Sequence, residues 1–181
     1  MSSPIISPTD SPAKFIKSSG KFVQLPEVTQ LEILKTVLEH GNYMQMAVFG
    51  MSMHPFLQDG DIVLIKPLGR ELPEIGDVVA FQRPENGQLV IHRIIAKMDG
   101  FFEIKGDNVT ISDGRIPHSQ LIGKITLVTR GGRHVNAGLG KVKRCIARRS
   151  KQNQIVLFNR VIGFFPRAWK YMMRKFHINC N

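Results

Sequence analysis

A serine, a histidine and two aspartates of this chain have the residue types and order of a hydrolytic site. Ser52 lies in the turn-prone stretch 50–55, His92 follows within a run of aliphatic residues, and Asp107 and Asp113 come after it. A nucleophilic serine needs a base to take its proton, and the base needs a carboxylate that fixes its tautomer and stabilises the imidazolium. The sequence therefore predicts Ser52 as nucleophile, His92 as base and either aspartate as the third member.

Short apolar runs separated by turn residues fill the middle of the chain and predict strands. The runs cover residues 44–49, 61–66, 77–81, 89–96, 101–105 and 121–128. Glycine, proline, asparagine and aspartate join them without intervening helices. We therefore expect a mainly β fold, an antiparallel barrel-like or sandwich domain with Ser52 at its rim and His92 on a strand.

Different patterns flank the predicted sheet on both sides. Residues 1–25 are rich in Ser, Pro and Lys and predict a flexible tail. Thr29 and Glu32 have capping-box spacing, and leucines at helical spacing follow until Gly41, which predicts one short helix at the start of a catalytic domain over 26–130. The segment 131–181 is predicted to be a basic, amphipathic helical extension, with an apolar stripe made of Ile155, Phe158, Ile162, Phe165, Trp169, Met172 and Phe176.

Charge divides the chain at Asp113. Up to that residue there are 10 Lys and Arg and 14 Asp and Glu, a net −4, whereas after it there are 15 basic residues and no acidic one, so that the total is +11. The chain has two cysteines, which predicts no disulfide framework and fits a reducing compartment. It shows neither a secretory signal pattern nor an apolar stretch of membrane-spanning length. We expect a cytoplasmic protein, with peripheral contact to the inner face of a membrane as the alternative.

A series of ordered motifs across residues 48–128 resembles those of type I signal peptidases, in the branch that uses histidine as base. The motifs are Gly50-Met51-Ser52-Met53-His54-Pro55, Gly60-Asp61-Ile62-Val63, Gly76-Asp77-Val78-Val79, Val90-Ile91-His92-Arg93, Lys105-Gly106-Asp107-Asn108 and Gly123-Lys124-Ile125. Their joint order is far more specific than a lone serine motif.

The resemblance implies a role for each candidate site residue. It makes Ser52 the nucleophile, with its own backbone N–H in the oxyanion hole, and His92 the general base. It maps the triad carboxylate to Asp113 and leaves Asp107 a supporting role. Lys105 is a rival base only if His92 points away from the serine.

The resemblance also implies a peptide substrate that binds as an extended strand beside the serine loop. Met51, Met53 and Pro55 are the residues expected to contact it, while Phe56 and Leu57 are expected to fill the core. No spacing of cysteine and histidine suggests a zinc site and no glycine-rich loop suggests a nucleotide, so neither metal nor cofactor is expected.

A spanning helix before the serine motif is typical of type I signal peptidases, and here the predicted helix is short and charged. The basic segment 151–176 is therefore expected to contact an anionic membrane surface. Packing of this segment on the β domain is an equal alternative, and binding to nucleic acid ranks last because no recognition motif accompanies the charge.

Three functional hypotheses follow from these residues. The first is a serine endopeptidase that cleaves a leader or signal-like peptide after small residues. The second is an autoprotease of the SOS-repressor type, from which this chain departs by having histidine instead of lysine as base. The third is a non-catalytic adaptor that associates with a membrane or with nucleic acid.

Overall fold

Three helices and eight strands make up the part of the chain that the computed structural model describes, residues 27–69 and 72–162. The predicted tail over 1–25 and the predicted apolar stripe beyond residue 162 lie outside the described residues. In chain order the elements are α1 (Glu27–Glu39), β1 (Met44–Ala47), β2 (Ile62–Lys66), β3 (Val78–Gln82), β4 (Leu89–Met98), β5 (Phe101–Lys105), β6 (Arg115–Pro117), a 3-10 turn (His118–Gln120), β7 (Leu121–Arg130), β8 (Arg133–His134), α2 (Lys143–Lys151) and α3 (Gln154–Ile162).

The strands form one antiparallel sheet in the order β1-β2-β7-β3-β4-β5-β6, with β8 paired to β7. All the predicted strands are present, and the prediction of a mainly β, antiparallel fold is confirmed. β3 and β7 lie in the middle of the sheet, and four of the five β3 residues are buried. The short β6 and β8 were not predicted, because three and two residues are too few to show an alternating pattern.

The main core lies between α1 and the β1–β2–β7–β3 part of the sheet. Leu34 and Leu38 of α1 pack there with Val63 and Ile65 of β2, all of them buried, because residues at i and i+4 of a helix and at i and i+2 of a strand share one face. Gly41 ends the helix as expected, with φ 75°.

The predicted capping box is wrong. Thr29 lies inside α1, which extends from Glu27. A capping residue has a non-helical backbone, and residues 27 and 28 before Thr29 are already helical, so Thr29 is not at a capping position.

The helices α2 and α3 pack beside the serine loop through Phe56, Ile146 and Ile155. α2 lies within the segment 131–181 that was predicted to be helical, and Ile146, Ala147 and Ser150 are its buried residues. Cys145 of α2 is disulfide-bonded, a bond that the count of two cysteines did not lead us to expect. In residues 27–69 and 72–162, no helix combines the length and apolarity needed to cross a membrane.

Candidate active site

Ser52 lies on the loop between β1 and β2, and backbone hydrogen bonds close the base of that loop. Val48 N–H donates to Asp61 C=O at 2.8 Å, and Gly60 N–H donates to Val48 C=O at 2.9 Å. Gly50 turns the chain with φ 93°, a conformation that favours glycine. The loop is therefore anchored at both ends, and its half-buried serine has a defined position at the rim of the sheet.

His92 faces the serine from β4. Its backbone pairs with Val79 of the central strand β3, and the residue is only 6% exposed. The imidazole Nε2 lies 2.9 Å from Ser52 Oγ. Pairing of β4 with β3 thus fixes the position of the His92 imidazole. The Ser52 hydroxyl can donate a hydrogen bond to Nε2.

Asp113 completes a continuous hydrogen-bonded chain with these two residues. It lies in the loop between β5 and β6, where its N–H donates to Ile104 C=O at 2.8 Å. Its Oδ2 lies 2.6 Å from His92 Nδ1. When Nδ1 carries the proton and donates to Asp113, the lone pair of Nε2 faces Ser52, which is the tautomer that a base at this position requires.

Electrostatics around Asp113 favour its charged form. Burial alone would raise the pKa of this carboxyl, but hydrogen bonds and charges from His92 and Arg83 outweigh burial and lower the pKa below its ordinary value of 3.8. At neutral pH the group is therefore a carboxylate beside His92, and it can stabilise an imidazolium.

Arg83 is a site residue that the sequence analysis missed. Its Nη2 donates to Asp113 Oδ1, and its side chain also donates to Gln88 at 3.3 Å. The position directly after β3 gave no signal for this role, because Arg83 and Asp113 are 30 positions apart in the sequence and come together only through the order of the strands.

Asp107 pairs with Arg93 and makes no contact of this kind with His92. Three hydrogen bonds of 2.8–3.1 Å join its carboxylate to the Arg93 guanidinium, and both side chains are fully buried. Arg93 also donates to the carbonyls of Gly76 and Gly138 at 2.8 and 3.0 Å. Because Arg93 follows His92 on β4, its side chain points to the opposite face, so this ion pair lies behind the site.

Lys105 is buried and directed away from the serine. Its register partner is Arg93, and its Nζ donates to Ser150 C=O at 2.8 Å, near the end of α2. Burial lowers the pKa of Lys105, and the Asp107 charge opposes this effect. His92 faces the serine, so the condition under which Lys105 was a rival base is not met.

Gly106 lies so close to the site that a side chain there would enter it. An added Cβ would lie 2.7 Å from Ser52 C=O and 2.9 Å from His92 Nε2, which is closer than Cβ contacts normally are. The absence of a side chain at Gly106 therefore leaves the space that Ser52 and His92 need to lie at hydrogen-bonding distance.

Gly106→Ala is expected to lower kcat for hydrolysis by about two orders of magnitude, because a shift of the imidazole by a fraction of an ångström misaligns proton transfer. Steady-state kinetics with a cleavable peptide measures the change. Gly140→Ala is the matched control, since an added Cβ meets nothing within 4 Å there. Equal kcat for the two variants would contradict the geometry described.

A groove of about 720 Å³ opens in front of the serine. Its walls come from the edge strand β1 and the following loop, from the beginning of β4, and from residues 109–113. Its lining residues include Met46, Val48, Phe49, Met53, Leu57, Leu89, Ile91, Val109 and Ile111. Apolar side chains thus make up more of the lining than polar ones, and strand backbone lies along two sides of the groove.

The three residues predicted to contact substrate occupy different places. Met53 lines the groove from below and is 4% exposed within the main core. Met51 is 54% exposed beside the groove. Pro55 is buried in the serine loop and is not part of the lining. Phe56 and Leu57 are buried, as expected.

The side chains of the site offer no constellation for a metal. Within the described ranges 27–69 and 72–162, no three or more His, Cys, Asp or Glu side chains are grouped to hold an ion. The chemistry that the arrangement supports is transfer of the serine proton to an oriented imidazole.

The mainly β fold and the serine beside an oriented base define a serine peptidase-like domain. A model of the Peptidase S24-like family matches residues 14–126, which is more than half of the chain. The chain belongs to the Peptidase S24-like family. This match does not single out the type I signal peptidase branch. No curated protein matches the chain.

Proposed function

We propose that this protein is a serine endopeptidase of the histidine-using signal peptidase type, which cleaves a leader or signal-like peptide after small residues. One observation carries the proposal, the continuous chain of hydrogen bonds from Ser52 through His92 to Asp113 at the mouth of an apolar groove. The family membership supports a serine peptidase, and the ordered motifs of the sequence support the finer assignment.

The reaction proceeds in two steps, in which the acyl group is transferred first from the peptide to Ser52 and then from Ser52 to water. In the first, Ser52 Oγ attacks the scissile carbonyl carbon while its proton passes to His92 Nε2, and Asp113 stabilises the resulting imidazolium. The tetrahedral oxyanion accepts a hydrogen bond from the Ser52 N–H. The intermediate then collapses, and the C–N bond breaks as His92 returns the proton to the leaving amine.

Water completes the reaction. His92 takes a proton from the incoming water, whose oxygen adds to the ester carbonyl of the acyl-enzyme. Collapse of the second tetrahedral intermediate breaks the ester bond, and the proton held by His92 returns to Ser52 Oγ. The products are a carboxylic acid and the free amine of the second fragment, and the enzyme is restored.

Two strand edges that have no neighbouring strand among the described residues favour binding of the substrate in an extended conformation. β1 ends the sheet on one side. On β4, pairing with β5 begins at Arg93, so Leu89 to His92 are paired on the β3 side alone within the described residues. A peptide laid between these edges can exchange backbone hydrogen bonds with either of them, which is β-augmentation.

Ser52→Ala is the direct test of the proposal. Purified protein is incubated with a peptide library that contains small residues at varied positions, and the products are identified by mass spectrometry. We expect cleavage by the wild type and a loss of at least about four orders of magnitude in rate for Ser52→Ala. A fluorophosphonate should label the wild type and not this variant. Ser119→Ala, at an exposed serine of the 3-10 turn, is the control. Unchanged cleavage in Ser52→Ala would refute the proposal.

Self-cleavage is a second candidate function, and the location of one residue of α1 favours it. Gln30 lines the groove, so the beginning of α1 lies beside the site. The readout is a Ser52-dependent cut near residues 25–45 of the protein itself, at a rate independent of protein concentration. His92 in place of a lysine base departs from the SOS-repressor type, which is why this candidate ranks second.

The proposal includes a domain division and a membrane contact. We assign catalysis to 26–130 and assign binding of an anionic membrane surface to the helical extension, through residues 151–176. The 15 basic residues without an acidic one after Asp113 support this contact, because each can attract anionic headgroups. Flotation with anionic and neutral vesicles measures it, and equal binding to both would contradict it.

A further inference from the structure

Asn159 of α3 contacts the serine loop from outside the region that the family model matches. The match ends at residue 126, whereas α3 begins at Gln154. The Asn159 amide Nδ2 donates to Asn108 Oδ1 at 2.8 Å and to His54 C=O at 3.2 Å. A helix that lies beyond the matched region is therefore hydrogen-bonded to the loop that carries Ser52.

Asn108 connects this helix to the peptide unit of the nucleophile. Its backbone N–H donates to Ser52 C=O at 2.7 Å, and its side-chain Nδ2 donates to Met51 C=O at 3.1 Å. The Met51 carbonyl and the Ser52 N–H belong to one planar peptide unit. A hydrogen bond that fixes the carbonyl therefore also fixes the direction of the Ser52 N–H, the proposed oxyanion donor.

The amide of Asn108 has a donor end and an acceptor end, and only one orientation serves the loop. Because Asn159 donates to Oδ1, the Nδ2 end of Asn108 faces Met51 C=O. A half-turn of the amide would bring its oxygen against the Met51 carbonyl oxygen and its NH₂ against the Asn159 NH₂. Asn159 thus selects the orientation in which Asn108 can hold the Met51–Ser52 peptide.

Asn159 acts in this contact through its donors. Its own Oδ1 is buried and has no hydrogen-bond partner among the described residues. A buried acceptor without a partner is unfavourable and uncommon in folded proteins. The presence of asparagine here is explained by the two acceptors of the serine region that its NH₂ group reaches.

We propose that Asn159 is a positioning residue for peptide-bond hydrolysis: through Asn108 it orients the Met51–Ser52 peptide unit so that the Ser52 N–H points at the developing oxyanion. This inference rests on the proposed function and extends it by giving the helical extension a task at the active site.

Asn159→Asp is the main test, because it keeps the size of the side chain and replaces the NH₂ donor with a carboxylate oxygen. We expect kcat to fall by about ten- to a hundredfold with KM changed by less than about twofold, since an interaction of the transition state is weakened. Asn159→Ala removes the amide without adding charge and is expected to give a similar loss. Leu157→Ala, at a position of α3 that is 59% exposed, is the control with wild-type kinetics. Thermal unfolding verifies that each variant is folded.

A merely structural role is separated from positioning by two further measurements. In an Asn108→Ala background, Asn159→Asp should have no additional effect on kcat, because the connecting residue is already absent. A peptide aldehyde adds to Ser52 Oγ and places its oxygen where the oxyanion forms, so its affinity should fall by the same factor as kcat. Affinity of Ser52→Ala protein for an intact peptide should not change when Asn159→Asp is added.

Each outcome decides between the proposals. Ser52-dependent cleavage with equal kcat in wild type and both Asn159 variants overturns this inference alone, as does a full additional loss in the Asn108→Ala background. Cleavage that does not depend on Ser52 refutes the proposed function, and this inference with it.

Discussion

His92→Ala is expected to lower kcat/KM for peptide cleavage by about four to six orders of magnitude, because the serine then has no base at hydrogen-bonding distance. The His92 Nε2 atom lies 2.9 Å from Ser52 Oγ. The measurement is the cleavage rate of a peptide that contains the site identified by mass spectrometry, followed over hours so that a residual rate is detected.

Asp113→Asn tests the other end of the same hydrogen-bonded chain. An amide that donates to Nδ1 holds the imidazole in the wrong tautomer, and the expected loss in kcat is about four orders of magnitude. His134→Ala, at an exposed histidine of β8, is the control. The Ser52→Ala, His92→Ala double variant should be no slower than either single variant, since the residues act as a unit. A His92→Ala rate within tenfold of wild type would exclude His92 as the base.

Arg93→Met is expected to lower the free energy of unfolding by about 3–5 kcal/mol, because Asp107 would stay buried without its cation. The guanidinium is fully buried, and it donates to Gly76 and Gly138 as well as to Asp107, so several acceptors lose their donor together. Urea unfolding at neutral pH, fitted with a common slope, measures the difference.

Paired variants distinguish a lost ion pair from lost packing. Arg93→Met combined with Asp107→Leu should regain a large part of the stability, since no unpaired charge remains. Arg144→Met is the matched control, because the Arg144 side chain is 70% exposed and its ion pair with Glu74 is on the surface. A loss below about 1 kcal/mol for Arg93→Met would show that the buried pair contributes little.

The strands and the order of the site residues were predictable because both depend on local pattern. A short apolar run bounded by turn residues identified β4, and the alternation of side chains along any strand places His92 and Arg93 on opposite faces. The turn residues around Gly50 identified a loop in front of β2. Such patterns need no knowledge of which strands are neighbours.

Contacts between residues that are distant in the sequence could not be predicted, because they depend on which strands are neighbours and in which register they pair. Asp107 was expected to support the site, but its pairing with Arg93 depends on the register of β4 and β5, which shifts between Ile94 and Ala96. Arg83 meets Asp113 only once the sheet has formed. Met53 illustrates a further ambiguity, because a methionine beside a nucleophile fits substrate contact and core packing equally well, and here it packs in the core and also lines the groove.

His92 and Arg93 are neighbours on β4, so the register of this strand decides which of the two side chains faces Ser52. If β4 paired one residue out of register, the two side chains would exchange faces. An arginine would then face the serine, and a histidine would meet Asp107 in the interior. The same slip would remove both the buried Arg93–Asp107 ion pair and the base beside Ser52. Such a misfolded molecule would lose stability and would have no base to activate its serine. The proposed proteolytic activity would thereby depend on correct pairing of the sheet, because only the native register places a base beside Ser52.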